Sequence, residues 1–256
     1  MKPLESTDEK DVACDYYDIA LISGVNWLKS IWTAHNWRFD DRINGKLPVA
    51  SGLLDEFFFC LLGGYGITYE ANLAAFLHLK SLGYLQQSWF NQAIDHEALI
   101  STTLSHTQLY SPLGFARSFR YRFPNVKARF LVAAANWLEQ TLNWNLDQLK
   151  ICAPFQARDA LITCPGLGYK TASWYLRNIG HGGNLAIVDV HIERIAKERA
   201  LVPYGLTAQN DYLEIEARLL SACRMVPAPI EVLDLVLWHY SRGDLVEHAT
   251  GQTRLF

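Results

Sequence analysis

The ten residues Cys164-Pro165-Gly166-Leu167-Gly168-Tyr169-Lys170-Thr171-Ala172-Ser173 constrain this chain more than any other stretch. Pro165-Gly166 stops a short helix over Ala157–Cys164, and the helical pattern resumes over Lys170–Ile179 until Gly180 ends it. Two short helices therefore meet at a Pro-Gly-x-Gly hairpin. Gly166 and Gly168 are expected to take positive φ, which a side chain would penalise, and to let a bulky anion approach the backbone. The second helix aims its unpaired N–H groups and the positive end of its dipole at the same place. The same ten residues would equally serve as a helix-turn-helix connection with no ligand.

The remainder reads as mainly α, without internal repeats. Leu53–Leu62 is a short, almost wholly apolar helix, broken by Gly63-Gly64-Tyr65-Gly66 and followed by a helix over Thr68–Leu82. Over Lys127–Thr141, Phe130, Ala133, Ala134, Trp137, Leu138 and Thr141 mark one buried helical face. Helices are also predicted over Asp189–Leu201, from an Asn210 or Asp211 cap to Cys223, and over Ile230–Ser241. Turns fall at Asn44-Gly45 and Pro48. Residues 1–18, with six acids against two lysines, read as a mobile or loosely docked tail. Trp27, Trp32 and Trp37 read as core of the N-terminal part.

The 256 residues carry a net charge of −3, a poor match to a wholly basic nucleic-acid binder. The distribution reverses that. From Ala98 to Val188 nine Lys and Arg face three acids, so this segment holds +6 and the rest −9. A basic middle in an acidic chain suits a face that tracks phosphates, although five bases near residue 120 would also make an ordinary solvated loop. The five cysteines form no CxxC pair and no ligand cluster, so they read as reduced thiols and exclude a four-cysteine iron–sulfur site. No His, Glu and Asp set has metal-ligand spacing. No apolar run reaches 18 residues and the acidic N-terminus is unlike a signal peptide, so a cytoplasmic protein, nucleoid-associated if prokaryotic, without membrane contact is expected.

Two residues stand out chemically. Lys170 directly follows the hairpin at a helix start, where the dipole favours the neutral amine that can attack carbon. The apolar run Leu185-Ala186-Ile187-Val188 then delivers Asp189 to the start of the next helix, where an N-cap would be its ordinary role.

The segment PGLGYKTASWYLRNIG…LAIVDVHIERIA closely resembles the helix-hairpin-helix DNA glycosylase superfamily, and within it the 8-oxoguanine DNA glycosylase/AP lyase branch. In that family a lysine closes the hairpin and an aspartate follows 19 residues later, the separation of Lys170 and Asp189 here. Tyr121-Arg122-Phe123-Pro124-Asn125 resembles its RFP segment, and Leu233-Asp234-Leu235-Val236-Leu237-Trp238-His239-Tyr240 its LDLxLWY helix. The resemblance is close over residues 115–243, loose over 53–115 and absent over 1–50.

The resemblance implies a two-lobed helix-hairpin-helix glycosylase fold without an iron–sulfur cluster. Residues 1–52 would be an N-terminal extension packing with the C-terminal lobe, 53–181 a helical-barrel lobe and 182–256 the lobe completing a cleft. A monomer would act on double-stranded DNA from which a modified base has flipped. Lys170 would attack C1′, expel the base and form a Schiff base that permits β-elimination. Asp189 would stabilise the charge developing on the sugar. Gly166, Gly168, Tyr169, Arg120, Arg122, Lys127 and Arg129 would bind DNA, and a monovalent cation held by hairpin carbonyls is a further implication.

Asp234 and Trp238, four apart on one helix face, fall where the family places a polar base contact and a stacking aromatic. Trp174, one turn after Lys170, would stack from the other side; family members usually carry a smaller or polar residue there. Tyr65 sits where such enzymes push a wedge into the duplex, without the family's asparagine-rich version, and a plain glycine turn is the alternative. His191 reads as structural. The C-terminus, Gln252-Thr253-Arg254-Leu255-Phe256, lacks the usual terminal lysine. The first substrate is 8-oxoguanine. These departures keep open a different, bulkier base such as a modified pyrimidine, and a non-enzymatic hairpin module is the third reading.

Overall fold

Helices build almost all of the described part of the molecule. The computed structural model describes residues 9–35, 52–106, 109–110, 118–226 and 228–243. The turns at Asn44-Gly45 and Pro48, Trp37 and the C-terminal Gln252–Phe256 lie outside the described residues. The chain divides into two compact units, residues 46–183 and residues 1–45 with 184–256.

In the 46–183 unit the first helix, α2 (Leu53–Leu62), buries Phe57, Phe58 and Phe59 in succession, so it is enclosed on all sides. Phe57 stacks on Trp137 at 6.3 Å and meets Tyr175 edge-on at 5.8 Å. These contacts tie α2 to α6 (Pro124–Trp137) and to α8 (Tyr169–Asn178). Helix α3 (Tyr69–Ser81) begins at a Thr68 cap whose hydroxyl accepts the Ala71 N–H at 3.3 Å. Between it and α6 lie α4 (Gln87–Phe90), α5 (His96–His106) and an antiparallel pair, β1 (Leu109–Tyr110) with β2 (Ser118–Phe119). The expected helix over Lys127–Thr141 leaves α geometry at Leu138, where one π turn (Leu138–Leu142) leads to Asn143 and Trp144 at positive φ. Then follow a 3-10 turn (Leu146–Lys150) and α7 (Pro154–Leu161). Helix α7 starts three residues before the expected Ala157, because Pro154 opens it and Gln156 accepts the Ala153 N–H at 3.2 Å.

In the other unit, residues 9–18 of the expected mobile or loosely docked tail are helical and form the start of α1 (Glu9–His35). Its second half carries an apolar stripe. Val25, Leu28 and Ile31 are buried, Ile31 clusters with Val232 and Val236, and Trp27 meets Tyr240 edge-on at 5.2 Å. Gly24 permits the close approach: a Cβ there would lie 2.1 Å from the Arg199 carbonyl oxygen. Among the described residues, helices α9 (Val190–Glu198), α10 (Tyr212–Met225) and α11 (Ile230–Ser241) make up the rest of the unit. Asp211 occupies the N-cap position of α10, but its carboxylate accepts the Thr207 N–H.

Candidate functional site

The hairpin is built as a tight turn on an aromatic floor. The Leu167 N–H donates to the Cys164 carbonyl at 3.1 Å, and Gly166 takes φ 88°. A Cβ on Gly166 would come within 2.7 Å of the Phe130 ring, so glycine is demanded by both backbone and neighbour. Gly168 corrects the expectation of two left-handed glycines. It is extended, φ −111° and ψ 179°, as the N-cap of α8, and nothing lies within 4 Å of where its Cβ would be. The carbonyls of Cys164 and Gly168 each accept a backbone N–H. Each keeps a second lone pair that could share in holding a cation.

Lys170 is the second residue of α8 and is half-buried. Beside it, Tyr169 packs on the guanidinium of Arg158 at 5.3 Å, which also lies over Phe155 and donates to Ser173 Oγ at 3.2 Å. Arg158 is buried, so the basic middle of the sequence is not entirely a surface feature. One turn beyond Lys170, Trp174 is half-buried. It meets Phe59 edge-on at 5.7 Å, and its ring fills the space where Gly63 would carry a Cβ.

The Gly63–Gly66 turn follows from how α2 ends. Its last carbonyls are satisfied by side chains from elsewhere: Phe59 O accepts Asn72 Nδ2 at 3.0 Å, Leu62 O accepts the Tyr121 hydroxyl, and Leu61 O accepts Lys127 Nζ at 2.6 Å. Lys127 Nζ donates also to Gly63 O. This overturns the expectation that Lys127 faces phosphate. It is a helix C-terminal cap, and burial lowers its amine to about 8.

The turn itself projects Tyr65, which is 79% exposed, between Gly64 at φ 134° and Gly66 at φ 73°. Arg122 Nη1 reaches Gly66 O at 3.4 Å, and its guanidinium stacks on Phe123 at 4.7 Å. Arg120 and Arg122 line an open groove of about 420 Å³ with Gly66, Thr68 and Tyr121. Arg129 is exposed and lies over Phe130, the same ring that floors the hairpin. Basic segment, turn and hairpin therefore belong to one structural neighbourhood.

Phe123 is the middle residue of the RFP pattern. It is exposed and takes φ 63°, ψ 45° immediately before Pro124, a conformation that proline disfavours in its predecessor. Nothing in residue type signals this; the position before proline argues for the opposite.

The remaining predicted residues lie in the other unit. Asp189 caps α9, its Oδ1 accepting the His191 and Ile192 N–H groups, both at 2.9 Å. Its second oxygen makes no hydrogen bond among the described residues, and the side chain is half-exposed. Asp234 departs from the expected base contact. It is buried, and its Oδ2 accepts the Ile187 N–H at 2.9 Å, so this oxygen holds the backbone ahead of Asp189. Trp238 is half-buried, with Arg242 over its ring at 4.5 Å and His191 edge-on at 6.4 Å. Among the described residues no three His, Cys, Asp or Glu side chains form a metal-binding group. No helix among them is long and apolar enough to cross a membrane.

Helices meeting at a glycine hairpin, with a lysine in the first turn beyond it, define a helix-hairpin-helix protein. The same fold occurs in the Methanocaldococcus jannaschii 8-oxoguanine glycosylase/lyase in complex with a 15mer DNA containing 8-oxoguanine. That match has a TM-score of 0.61 and 23% identity, over 86% of this chain and 99% of that one. The 8-oxoguanine DNA glycosylase of Thermotoga maritima matches with a TM-score of 0.57 and 25% identity, over 86% and 96%. The chain belongs to the 8-oxoguanine DNA glycosylase family, whose model matches residues 51–227. The 8-oxoguanine DNA glycosylase/AP lyase of Metallosphaera sedula is 32% identical over 127 residues, 50% of this chain and 61% of that protein. The protein of the same name from Fusobacterium nucleatum is 41% identical over 81 residues, 30% and 37%. The chain thus spans less than two thirds of the length of these relatives.

Proposed function

We propose that this protein is a DNA glycosylase with AP lyase activity that removes 8-oxoguanine from double-stranded DNA, acting as a monomer in the compartment that holds the DNA. One observation carries the reading: a half-buried lysine in the first turn of the hairpin helix, in a chain whose next helix opens on an aspartate with one oxygen uncommitted. Family membership and the names of the relatives support it.

In this reading the hairpin and the exposed Arg120, Arg122 and Arg129 hold the phosphate backbone, and Tyr65 fills the gap left by the flipped base. Lys170 Nζ, neutral, bonds to C1′ as the bond to the base nitrogen breaks. The base leaves with the electron pair and takes up a proton. The sugar ring opens to a Schiff base on Lys170, loss of the C2′ proton expels the 3′ phosphate, and water frees the lysine. The carboxylate of Asp189 stabilises the cationic sugar during bond cleavage.

The test is borohydride trapping on duplexes carrying a single 8-oxoguanine or an abasic site. A covalent complex with the unsubstituted protein, absent in Lys170→Gln, is the expected result. No complex with either substrate would leave a non-enzymatic hairpin module. The presence of tryptophan at position 174, packed against Gly63 and Phe59, is the ground for a second reading, a different and bulkier base such as a modified pyrimidine. Excision profiling over a panel of modified bases separates the two.

A further inference from the structure

The segment Leu185-Ala186-Ile187-Val188 runs through the interior of its unit without belonging to a helix or strand. Its N–H groups therefore need partners, since a backbone donor enclosed without one destabilises the fold. All three from 186 to 188 are met by side chains. Ala186 N–H donates to Glu216 Oε1 at 2.9 Å, Ile187 N–H to Asp234 Oδ2 at 2.9 Å, and Val188 N–H to the Tyr212 hydroxyl at 3.2 Å. The Tyr212 hydroxyl in turn donates to the Ala186 carbonyl at 2.7 Å. Tyr212 and Glu216 lie one turn apart on α10, and Asp234 is on α11.

Two carboxylates only 2% and 4% exposed, Glu216 and Asp234, are thus committed to a stretch of main chain. Apolar packing alone would enclose four apolar side chains at lower desolvation cost. What it would not do is fix backbone direction, which charge-assisted hydrogen bonds to successive N–H groups achieve. The last of the three bonds is made by Val188, the residue before Asp189.

We propose that Glu216 and Tyr212 are positioning residues for Asp189, setting the backbone of Ala186–Val188 so that its carboxylate caps α9 with one oxygen and presents the other. This rests on the reading of Asp189 given above. Neither residue touches substrate. They act through the main chain, and a misplacement of about 1 Å at a catalytic group costs on the order of 100-fold in rate.

The test is single-turnover excision, with enzyme in excess over a duplex holding one 8-oxoguanine. Tyr212→Phe removes the hydroxyl, and with it the bonds to the Val188 N–H and the Ala186 carbonyl, at almost constant volume. It is expected to slow excision about 10- to 100-fold, while binding to an abasic-site analogue and cleavage of a preformed abasic site change less than about threefold. Glu216→Gln, which keeps an acceptor for the Ala186 N–H, should retain most of the rate, and Glu216→Leu should lose it. In an Asp189→Asn background neither Tyr212→Phe nor Glu216→Leu should slow excision further. Circular dichroism at the assay temperature establishes that each variant is folded. Should Glu216→Leu not fold, Tyr212→Phe in the two backgrounds still decides.

Equal losses of excision and abasic-site cleavage, a further loss in the Asp189→Asn background, or full activity in Tyr212→Phe would each overturn this inference and leave the proposed function standing. Absence of excision by the unsubstituted protein on every lesion would overturn both.

Discussion

Lys127 donates its ammonium to the carbonyl oxygen of Leu61 at 2.6 Å, across 66 residues of sequence. A basic residue inside the most basic stretch of the chain thereby closes the end of α2 and supports the turn that carries Tyr65. Burial lowers its amine from 10.5 to about 8. Between those values the unfolded chain holds the proton that the folded protein has released, so stability increases with pH across the window and is lost again as pH falls towards 8. The expected size is about 3 kcal/mol over the full interval. Urea unfolding of the protein and of Lys127→Met at pH 7.5 and 9.5 checks it: the difference in stability should move in favour of the unsubstituted protein at the higher pH. A constant difference would mean that Lys127 titrates as in water.

Gly166 faces two independent demands, φ 88° and a Phe130 ring within 2.7 Å of any Cβ. Gly166→Ala should therefore destabilise the protein by about 2–4 kcal/mol, from left-handed strain and overpacking together. Adding Phe130→Ala should relieve only the ring contacts, because the Phe130 Cβ itself lies 2.9 Å from that position, and should leave the conformational part. Gly168→Ala, with open space around it and an extended backbone, should change the melting temperature little but weaken DNA binding.

Asp189 has a capping role and a proposed chemical one, and an amide separates them. Asparagine can still accept the His191 and Ile192 N–H groups, so Asp189→Asn should cost less than about 0.5 kcal/mol, whereas Asp189→Ala should cost about 1. Both should reduce excision by about 100- to 1,000-fold, because the charge is gone in each. Thermal unfolding beside single-turnover kinetics distinguishes the two roles. A mild kinetic effect of the amide would reduce Asp189 to a cap.

Arg122 is exposed, bonds Gly66 and stacks on Phe123, and it lines the groove that Arg120 shares. Arg120→Ala and Arg122→Ala should each lower the slope of log affinity against log salt by about 1, independently of DNA sequence. Lys127→Met should leave that slope unchanged. A fall for Lys127→Met equal to that for the arginines would contradict its role as a helix cap.

The hairpin, Lys170 at a helix start and Asp189 as an N-cap were legible in the sequence because each rests on a local signal. Glycine and proline punctuate, helices need caps, and an apolar run of four residues is bound for the interior. What escaped was every role set by a partner distant in sequence. Lys127 looked like Arg129, two positions away in the same helix, yet one faces a helix end and the other faces solvent. Asp234 looked like a base contact because it shares a helix face with Trp238, but that face also meets the Ile187 backbone.

By itself, then, the sequence determined a mainly helical protein of the helix-hairpin-helix glycosylase kind and the two residues on which its proposed chemistry rests. Tertiary structure alone decided which polar groups remain for a ligand and which are consumed in the fold. The physical reason is the cost of burying an unmet hydrogen-bonding group. Helix ends and the irregular Leu185–Val188 segment must find partners wherever the chain supplies them, and Lys127, Tyr121, Tyr212, Glu216 and Asp234 are recruited by position rather than by residue type.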